Sequence, residues 1–195
     1  EDLPKTNFHL HPTSNKITDI FKGRVDIEYG LAYYFYAKGL KTQKLIHLLK
    51  YKNKPEVGYE VGQIYGNEIK SCEFSKEIDY VIPVPLHIKK LKIRGYNQSE
   101  YFARGLSETS GIPLNLTSLS RIAFTETQTK KSRFKRWDNV KEKFQLFEPE
   151  LIKNKHIALL DDVITTGSTL EACINELRKA EGVKISIISM SIASN

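Results

Sequence analysis

Cysteine is scarce in this sequence, since Cys72 and Cys173 are the only two among 195 residues. Two thiolates are too few for a structural zinc site, which takes four ligands, and their wide spacing gives no support for a disulfide. Cys173 falls in a helical pattern beside Ile174, which favours a buried thiol without a chemical role. Because disulfides mark oxidising compartments, their expected absence favours a cytoplasmic location.

Long apolar runs are lacking as well. No segment approaches the roughly 20 apolar residues that a membrane-spanning helix requires, so no span is predicted. Residues 1–20 carry acids, Pro4 and histidines in place of the apolar core of a signal peptide. A hydrophobic fraction of 40% with 27% charged residues is typical of a globular protein, and 195 residues suit one domain with a real core.

Two common phosphate-binding motifs are missing. The sequence contains no G-x-G-x-x-G and no G-x-x-x-x-G-K, which argues against a dinucleotide-binding loop or an ATP-type loop. The charge nevertheless suits anions, because the formal net charge is +7 and the isoelectric point is about 9.2. Phosphates and nucleic acids are therefore the partners that charge favours, although many basic proteins bind neither.

Apolar periodicity predicts an α/β fold, in which a mostly parallel sheet is flanked by helices. The predicted strands cover 80–85, the neighbourhood of Leu116, 144–147, 157–160 and 184–192, and residues 25–36 are interpreted as a β-hairpin or two short strands. The predicted helices cover 41–53, 55–69, 97–109 and the residues from 170 towards Gly182. Pro83 and Pro85 are expected to end their strand in an extended turn, which a basic segment over 86–94 follows.

The stretch from Ile157 to Leu170 holds the strongest chemical signal. Four apolar residues predict a buried strand, and the carboxylates of Asp161 and Asp162 follow directly. Carboxylates accept hydrogen bonds from vicinal hydroxyls and help to hold a divalent cation. The next residues precede a helix, where free backbone N–H groups and the helix dipole favour an anion such as phosphate. A sugar phosphate therefore suits both halves, with its phosphate on Thr165, Thr166, Gly167, Ser168 and Thr169.

Each part of this stretch also has a plainer alternative, because the acid pair is consistent with an ordinary strand end and Ser168 or Thr166 with a helix N-cap. The complete order, however, resembles the motif with which type I phosphoribosyltransferases bind phosphoribosyl pyrophosphate (PRPP), an apolar run followed by two acids and Thr-Gly-x-Thr. The resemblance implies that Asp161 and Asp162 are catalytic residues that hold the ribose hydroxyls. It also implies that residues 165–169 bind the 5-phosphate of PRPP.

Two further segments resemble one branch of these proteins, the ComF family. They are Pro83-Val84-Pro85-Leu86-His87 and Arg94-Gly95-Tyr96-Asn97-Gln98, which occupy the place of the pyrophosphate-binding loop. The resemblance implies a pyrophosphate site formed by Pro85, Leu86, His87 and Arg94. The alternative is a rigid proline turn with solvated lysines, in which His87 is a hydrogen-bonded turn residue. ComF proteins commonly carry a four-cysteine module before these segments, and this sequence does not contain it.

A strongly basic segment over 127–137 resembles the catalytic loop that folds over bound PRPP in ComF proteins. The resemblance implies that Arg133 and Arg136 are catalytic residues that neutralise the departing pyrophosphate. Lys130 and Lys131 stand where a small residue and an apolar residue are more usual, which departs from the family pattern. The alternative interpretation is a surface loop that repels itself through its own charge.

The resemblance divides the chain into an N-terminal hood over residues 1–75 and a phosphoribosyltransferase core over residues 76–195, within one compact unit. It implies a ComF-type transferase in which an unidentified acceptor, recognised by the hood, displaces pyrophosphate from PRPP. Mg²⁺ would be held mainly through PRPP and water, with Asp161 and Asp162 as the candidate protein ligands.

Two other functional classes stay open. One is a PRPP-binding module without catalytic activity. The other is an accessory of natural competence and DNA uptake, which would bind single-stranded DNA or the competence machinery through its basic and aromatic residues. The sequence indicates neither the acceptor nor an oligomeric state.

Overall fold

The computed structural model describes residues 3–37, 41–51, 54–122 and 143–194 of the chain. Its strands are β1 (Gly30–Tyr36), β2 (Tyr80–Pro83), β3 (Leu119–Ile122), β4 (Lys143–Leu146), β5 (His156–Ile164) and β6 (Lys184–Ala193). Four of them form one parallel sheet in the order β1-β6-β5-β2. β3 and β4 pair antiparallel as a separate ribbon. The predicted α/β class, with a parallel sheet flanked by helices, is therefore confirmed.

All four predicted helices are also present, with boundaries that differ by a few residues. The helices are α1 (Lys16–Phe21), α2 (Lys41–Tyr51), α3 (Pro55–Ile69), α4 (Glu73–Lys76), α5 (Ile88–Arg94), α6 (Gln98–Ser110), α7 (Pro149–Ile152) and α8 (Ser168–Leu177). Pro149 begins the short helix α7, a position that suits proline because the first backbone N–H groups of a helix have no partner within the helix. Within the described ranges, none of these helices has the length and apolarity that a bilayer span requires.

The two faces of the main sheet carry separate hydrophobic cores. Ala158 and Leu160 of β5 pack with residues of α3 and α6, whereas Ile157 and Leu159 pack with residues of α1 and α8. All four side chains are fully buried, because successive residues of a strand point to opposite faces and both faces are covered. This double burial explains the unbroken apolar run before the acid pair. Cys173 lies in the second core and is buried, as predicted.

The start of α6 is fixed at the carboxyl end of β2 by Asn97. The side-chain oxygen of Asn97 accepts a hydrogen bond from the backbone N–H of Ser99 (3.2 Å), and its amide nitrogen donates to the carbonyl of Val84 (3.0 Å). Gly111, in the left-handed conformation with φ of 83°, ends the helix. α6 therefore begins beside the edge of the sheet at which β2 and β5 end.

Residues 25–36 do not form the predicted β-hairpin. Residues 30–36 make one strand, β1, which pairs parallel with β6 in the main sheet. On its other side, β1 is covered by the N-terminal segment, because the backbone N–H of Phe35 donates to the carbonyl of Pro4. Val25 and Ile27 alternate in the sequence because both pack on the second core and not because they pair in a strand.

The strand predicted near Leu116 starts later, at Leu119. Before it, Leu114 makes an isolated parallel bridge to Val81, which extends the main sheet by a single residue pair beyond β2. No helix or strand was predicted for the basic segment after the two prolines, and residues 88–94 form α5. The side chain of His87 caps its first turn and Gly95, with φ of 80°, ends it.

Candidate functional site

A cleft of about 580 Å³ opens at the carboxyl ends of the parallel strands. This edge is where open α/β sheets place their ligand sites, since loops and helix starts converge there. The cleft is formed by the end of β1, by α2, by the turn after β2, by α5, by the start of α6 and by the end of β5. The lining residues are Tyr36, Gln43, Ile46, His47, Val84, Pro85, Leu86, Lys90, Arg94, Asn97, Gln98, Ser99, Arg121, Asp161, Asp162, Val163, Thr165 and Thr169.

The acid pair forms part of this cleft and is held by the sheet. β5 continues past both acids to Ile164, because its register with β6 extends through that residue. Asp161 Oδ1 accepts hydrogen bonds from Ser99 Oγ (3.1 Å) and from the backbone N–H of Asp162 (2.8 Å). The carbonyl of Asp162 accepts a hydrogen bond from Ser191 Oγ (3.3 Å). These bonds fix the carboxylate of Asp161 and the backbone of Asp162, and both residues line the cleft.

The loop after β5 has the form of an anion site. Thr165, Thr166, Ser168 and Thr169 are exposed, whereas Gly167 is buried and adopts the left-handed conformation with φ of 76°. α8 begins directly after Gly167, so that the free N–H groups of its first turn face the loop. A small hollow of about 40 Å³ lies against residues 161 and 163–170. A helix start surrounded by hydroxyl groups is suited to a phosphate.

Basic side chains also line the cleft. Arg94 Nη1 donates a hydrogen bond to Gln98 Oε1 (2.9 Å), which fixes the last residue of α5 against the first residue of α6. Lys90 and Arg121 line the same space. The guanidinium of Arg121 lies 5.2 Å from the centre of the Phe144 ring, so the β3–β4 ribbon holds this cation in place. Carboxylates and cations therefore line one cleft.

Gln98 is a site residue to which the sequence analysis gave no role. It lines the cleft and is only 1% exposed, and its Nε2 is buried without a hydrogen-bond partner among the described residues. Its Oε1 is engaged by Arg94, which fixes the orientation of the amide. The signal was present, because Asn97-Gln98 belongs to the segment that resembles ComF proteins, but a sequence motif does not reveal which atom stays unpaired.

α2 contributes a second set of residues that sequence reasoning missed. Gln43 and His47, one helical turn apart, line the cleft together with Ile46. Tyr36, at the end of β1, lines it as well. The available signal was that Gln43 and His47 lie on the polar face of an amphipathic helix. That pattern does not show whether the polar face contacts solvent or a ligand. Residues of the N-terminal segment that was predicted to form a hood thus line part of the cleft.

The predicted site residues divide into three groups by position. Asp161, Asp162, Thr165, Thr169, Pro85, Leu86 and Arg94 line the main cleft, and Thr166, Gly167 and Ser168 line the adjoining hollow. His87 is buried and does not line the cleft. Its Nδ1 accepts a hydrogen bond from the backbone N–H of Lys89 (3.0 Å), so it caps the first turn of α5. Arg133 and Arg136 lie outside the described residues. The roles assigned to all of these residues stay predictions.

Cys173 lies close enough to Asp161 to feel its charge. Burial raises the pKa of its thiol well above the usual value, and the negative charge of Asp161 acts in the same direction. The thiol therefore stays protonated near neutral pH and is a poor nucleophile. Within the described ranges, no group of three or more histidine, cysteine or acidic side chains is arranged to hold a metal ion. A cation at this site would consequently need oxygen atoms from a ligand or water beside the two aspartates.

The fold and the cleft together define an α/β protein in which an acid pair, a hydroxyl-rich loop and basic side chains lie together at the carboxyl ends of parallel strands. No protein-family model matches the sequence. Competence protein F of Haemophilus influenzae is 32% identical to it over 142 residues, which cover 69% of this chain and 61% of that protein. DNA utilization protein YhgH of Salmonella typhi is 30% identical over 129 residues, which cover 65% of this chain and 56% of that protein.

The chain is thus a homologue of Competence protein F, as its motifs predicted, and it spans less than two thirds of the length of these two relatives. Among solved structures, glutamine PRPP amidotransferase from B. subtilis is 23% identical, with a TM-score of 0.46 over 72% of this chain and 30% of that chain.

Proposed function

We propose that the protein binds PRPP in this cleft and transfers its phosphoribosyl group to a nucleophilic acceptor. The observation that carries the proposal is the convergence of three chemically different groups on one cleft. These groups are the acid pair, the hydroxyl-rich loop at the start of α8 and the basic wall from α5 and β3. PRPP needs all three, since it combines a diphosphate, vicinal ribose hydroxyls and a second phosphate.

The loop over residues 165–169 would bind the 5-phosphate. Its four hydroxyl side chains are exposed, and the first turn of the ten-residue helix α8 supplies backbone N–H donors. Asp161 and Asp162 would accept hydrogen bonds from the two ribose hydroxyls. A carboxylate only accepts hydrogen bonds, so it binds a hydroxyl group, which donates, and not an ionised phosphate oxygen, which has no hydrogen to donate. Ser99 holds Asp161 in the orientation that this contact requires.

The departing diphosphate would lie against the basic wall. When the bond from C1 to the diphosphate oxygen breaks, the oxygen keeps the electron pair and the ribose ring becomes positively charged. Arg94 and Lys90 are placed to neutralise the diphosphate, and the acid pair stabilises the cationic ring. The acceptor then forms the new bond to C1. Such a reaction depends on charge and positioning, and no side-chain nucleophile is required.

Mg²⁺ fits the donor set of the cleft. Asp161 and Asp162 are oxygen ligands, and a cation that keeps several waters and binds substrate phosphates needs only one or two carboxylates from the protein. When bound, Mg²⁺ would neutralise part of the diphosphate charge. The two aspartates are thus the residues that we propose as its protein ligands.

Calorimetry with PRPP in the presence of Mg²⁺ tests binding. The Asp161→Asn/Asp162→Asn variant should lose at least about tenfold in affinity, because each amide replaces one charge-assisted acceptor by a neutral group. Asp19→Asn, an exposed aspartate in α1, is the control and should bind PRPP like the wild type. An acid-pair variant that keeps wild-type affinity would refute the assignment.

A second measurement separates a transferase from a module that only binds. Diphosphate release from PRPP should increase when a nitrogen or oxygen nucleophile is supplied to the wild-type protein. Binding of PRPP without release in the presence of any acceptor tested would favour the non-catalytic alternative. The binding experiment and the release experiment therefore distinguish the two functional classes.

Nucleic-acid binding is a second candidate function, and α5 provides the observation that favours it. Lys89, Lys90 and Lys92 are exposed, and none of them has an acidic partner among the described residues. Ile93, between these cations and Arg94, is 85% exposed. Two relatives are named for competence and for DNA utilization, which agrees with a polyanionic partner. Cations beside an exposed apolar side chain suit the backbone and bases of a single strand.

Salt dependence tests this second candidate. The affinity for a single-stranded oligonucleotide should fall steeply as salt increases, and Lys89→Ala/Lys92→Ala should reduce that slope by about one to two units. Lys90 stays unchanged in this variant, because it also lines the cleft. Lys76→Ala/Lys179→Ala is the control, since both of these lysines are exposed and paired with acids in other parts of the chain. Equal slopes in the two variants would exclude α5 as the contact.

A further inference from the structure

Arg24 is bonded to the loop over residues 165–169, which is called the phosphate loop below because it would bind the 5-phosphate. Arg24 itself belongs to none of the sequence motifs described above. Its Nη1 donates a hydrogen bond to the carbonyl oxygen of Thr166 (2.7 Å), and its Nη2 donates to the carboxylate of Glu171 (2.5 Å). These partners lie 142 and 147 residues away in the sequence. One guanidinium thus connects the segment after α1 with both the loop and the first turn of α8.

The same segment also packs against the loop. A Cβ on Gly167 would lie 2.7 Å from Cζ of Phe21 and 3.1 Å from Cγ2 of Ile20, so the loop backbone is in close contact with the end of α1. The guanidinium of Arg24 lies 5.6 Å from the centre of the Phe21 ring. Phe21 is fully buried, which gives the arginine a fixed support. The left-handed turn at Gly167 is therefore stabilised by packing against the end of α1 and by the hydrogen bond from Arg24 to Thr166.

Arg24 also balances a charge. Glu171 lies in the first turn of α8, at the helix start where the 5-phosphate would bind. An unpaired carboxylate there would repel a phosphate, although it interacts favourably with the helix dipole. The ion pair with Arg24 offsets this repulsion, and the hydrogen bond to Thr166 fixes the carbonyl of the loop at the same time.

We propose that Arg24 is a positioning residue of the phosphate loop, which sets both its shape and its charge. This inference rests on the proposed function, because it assumes that the loop binds the 5-phosphate. Arg24 lines neither the cleft nor the adjoining hollow and so acts through Thr166 and Glu171. Binding of the 5-phosphate would then depend on the segment that precedes β1 as well as on the motif.

Arg178 offers a matched control. It donates hydrogen bonds to the carbonyl (2.8 Å) and the carboxylate (3.3 Å) of Asp26. It therefore connects the same N-terminal segment to the opposite end of α8. Arg24→Ala and Arg178→Ala remove comparable exposed contacts, but only Arg24 touches the loop. Arg24→Ala should weaken ribose 5-phosphate binding about tenfold, whereas Arg178→Ala should leave it within about twofold of the wild type.

Pyrophosphate binding distinguishes positioning from a general loss of stability. Pyrophosphate with Mg²⁺ would occupy the basic wall, so its affinity should be equal in both variants. A merely structural role would weaken ribose 5-phosphate and pyrophosphate together. The Arg24→Ala/Glu171→Gln variant should recover about half of the lost affinity on a logarithmic scale, because it removes the repelling charge without restoring the hydrogen bond to Thr166.

Hydrogen exchange of the ligand-free protein keeps this proposal separate from the proposed function. The backbone amides of residues 166–171 should exchange faster in Arg24→Ala than in Arg178→Ala. If the wild type binds no PRPP and yet this difference in exchange appears, the proposed function fails while the positioning of the loop stands. Equal exchange in the two variants, or equal affinity for ribose 5-phosphate, would overturn the proposal for Arg24.

Discussion

Gln98 is almost fully buried, yet only one end of its amide has a hydrogen-bond partner among the described residues. Gln98→Met removes a polar group whose burial without a partner costs about 1–3 kcal/mol, and it also removes the hydrogen bond from Arg94, worth about 1.5–3 kcal/mol. We therefore expect the free energy of unfolding to change by no more than about 1 kcal/mol in urea titrations. PRPP affinity should nevertheless fall about fivefold to tenfold, because Arg94 loses its anchor and the ligand loses a donor.

Gln63→Met is a suitable control for this change. Gln63 lies on α3, outside the cleft, where its amide makes a long hydrogen bond of 3.4 Å to Glu108. Its replacement should leave PRPP affinity unchanged in calorimetry. A loss of stability in Gln98→Met well beyond the expected range, without a loss of PRPP affinity, would show that the amide is a structural group and not a ligand contact.

His156 makes folding stability depend on pH. The residue is 5% exposed at the start of β5, and its Nε2 lies 2.7 Å from Ser186 Oγ. Burial lowers the pKa of His156, although nearby acids act in the opposite direction. The unfolded chain therefore takes up a proton first, so that stability is complete above the unfolded histidine pKa of about 6.5 and falls as the pH decreases below it.

Replacement of this histidine tests the pH dependence. His156→Gln should reduce the difference in unfolding free energy between about pH 7.5 and about pH 5, measured by urea titration. The variant is expected to be less stable than the wild type at the higher pH, because a buried contact with Ser186 is altered. An unchanged difference between the two pH values would show that other groups determine the acid sensitivity.

At the scale of secondary-structure elements, the packing of α3 on α6 depends on glycine. A Cβ on Gly62 would lie 2.2 Å from the carbonyl oxygen of Phe102 and 2.8 Å from the backbone nitrogen of Leu106. Backbone atoms cannot move away individually, so Gly62→Ala should destabilise the fold by about 3 kcal/mol in urea titrations, despite the better helix propensity of alanine. Since α6 carries Gln98 and Ser99, the variant should also bind PRPP more weakly.

Gly58 on the same helix is the natural comparison. A methyl group added at this position would meet Leu49 Cδ1 at 3.0 Å, which is the end of a side chain that can rotate, and backbone atoms only at 3.6 Å. Gly58→Ala should therefore change the free energy of unfolding by less than about 1 kcal/mol. Equal losses at both positions would mean that helix separation is not set by these glycines.

Elements whose pattern reflects their own burial were predictable from sequence. β5 is buried on both faces before the acid pair, and its sequence there is accordingly an unbroken apolar run. Pro55 marks the start of α3, and Gly111 marks the end of α6. α5 was missed because two prolines and four cations suggested a turn, whereas the helix is set by a histidine cap and by Gly95. The hairpin prediction was wrong because alternation shows that Val25 and Ile27 pack on the core but not what their backbones pair with.

At the scale of the whole molecule, the candidate site could be predicted only as far as single segments reach. The acid pair and the loop over residues 165–169 are adjacent in sequence, and both line the cleft or its adjoining hollow. Ser99 on Asp161 and Arg24 on Thr166 join residues that are 62 and 142 positions apart. Such contacts depend on the order of strands in the sheet, which local periodicity does not encode. Ser99 and Arg24, which hold the acid pair and the loop in place, could therefore be identified only from the tertiary structure.

A ligand that bridges these distant segments should stabilise the entire fold. At a PRPP concentration of about 100 times Kd, one-site binding adds about 2.7 kcal/mol to the free energy of unfolding. For a chain of this size, such a change should raise Tm by about 5–10 °C in thermal unfolding with PRPP and Mg²⁺. The Asp161→Asn/Asp162→Asn variant should lose most of this shift, but it should keep the smaller shift produced by inorganic phosphate, because its phosphate loop is intact. A full PRPP shift in that variant would place the ligand away from the acid pair.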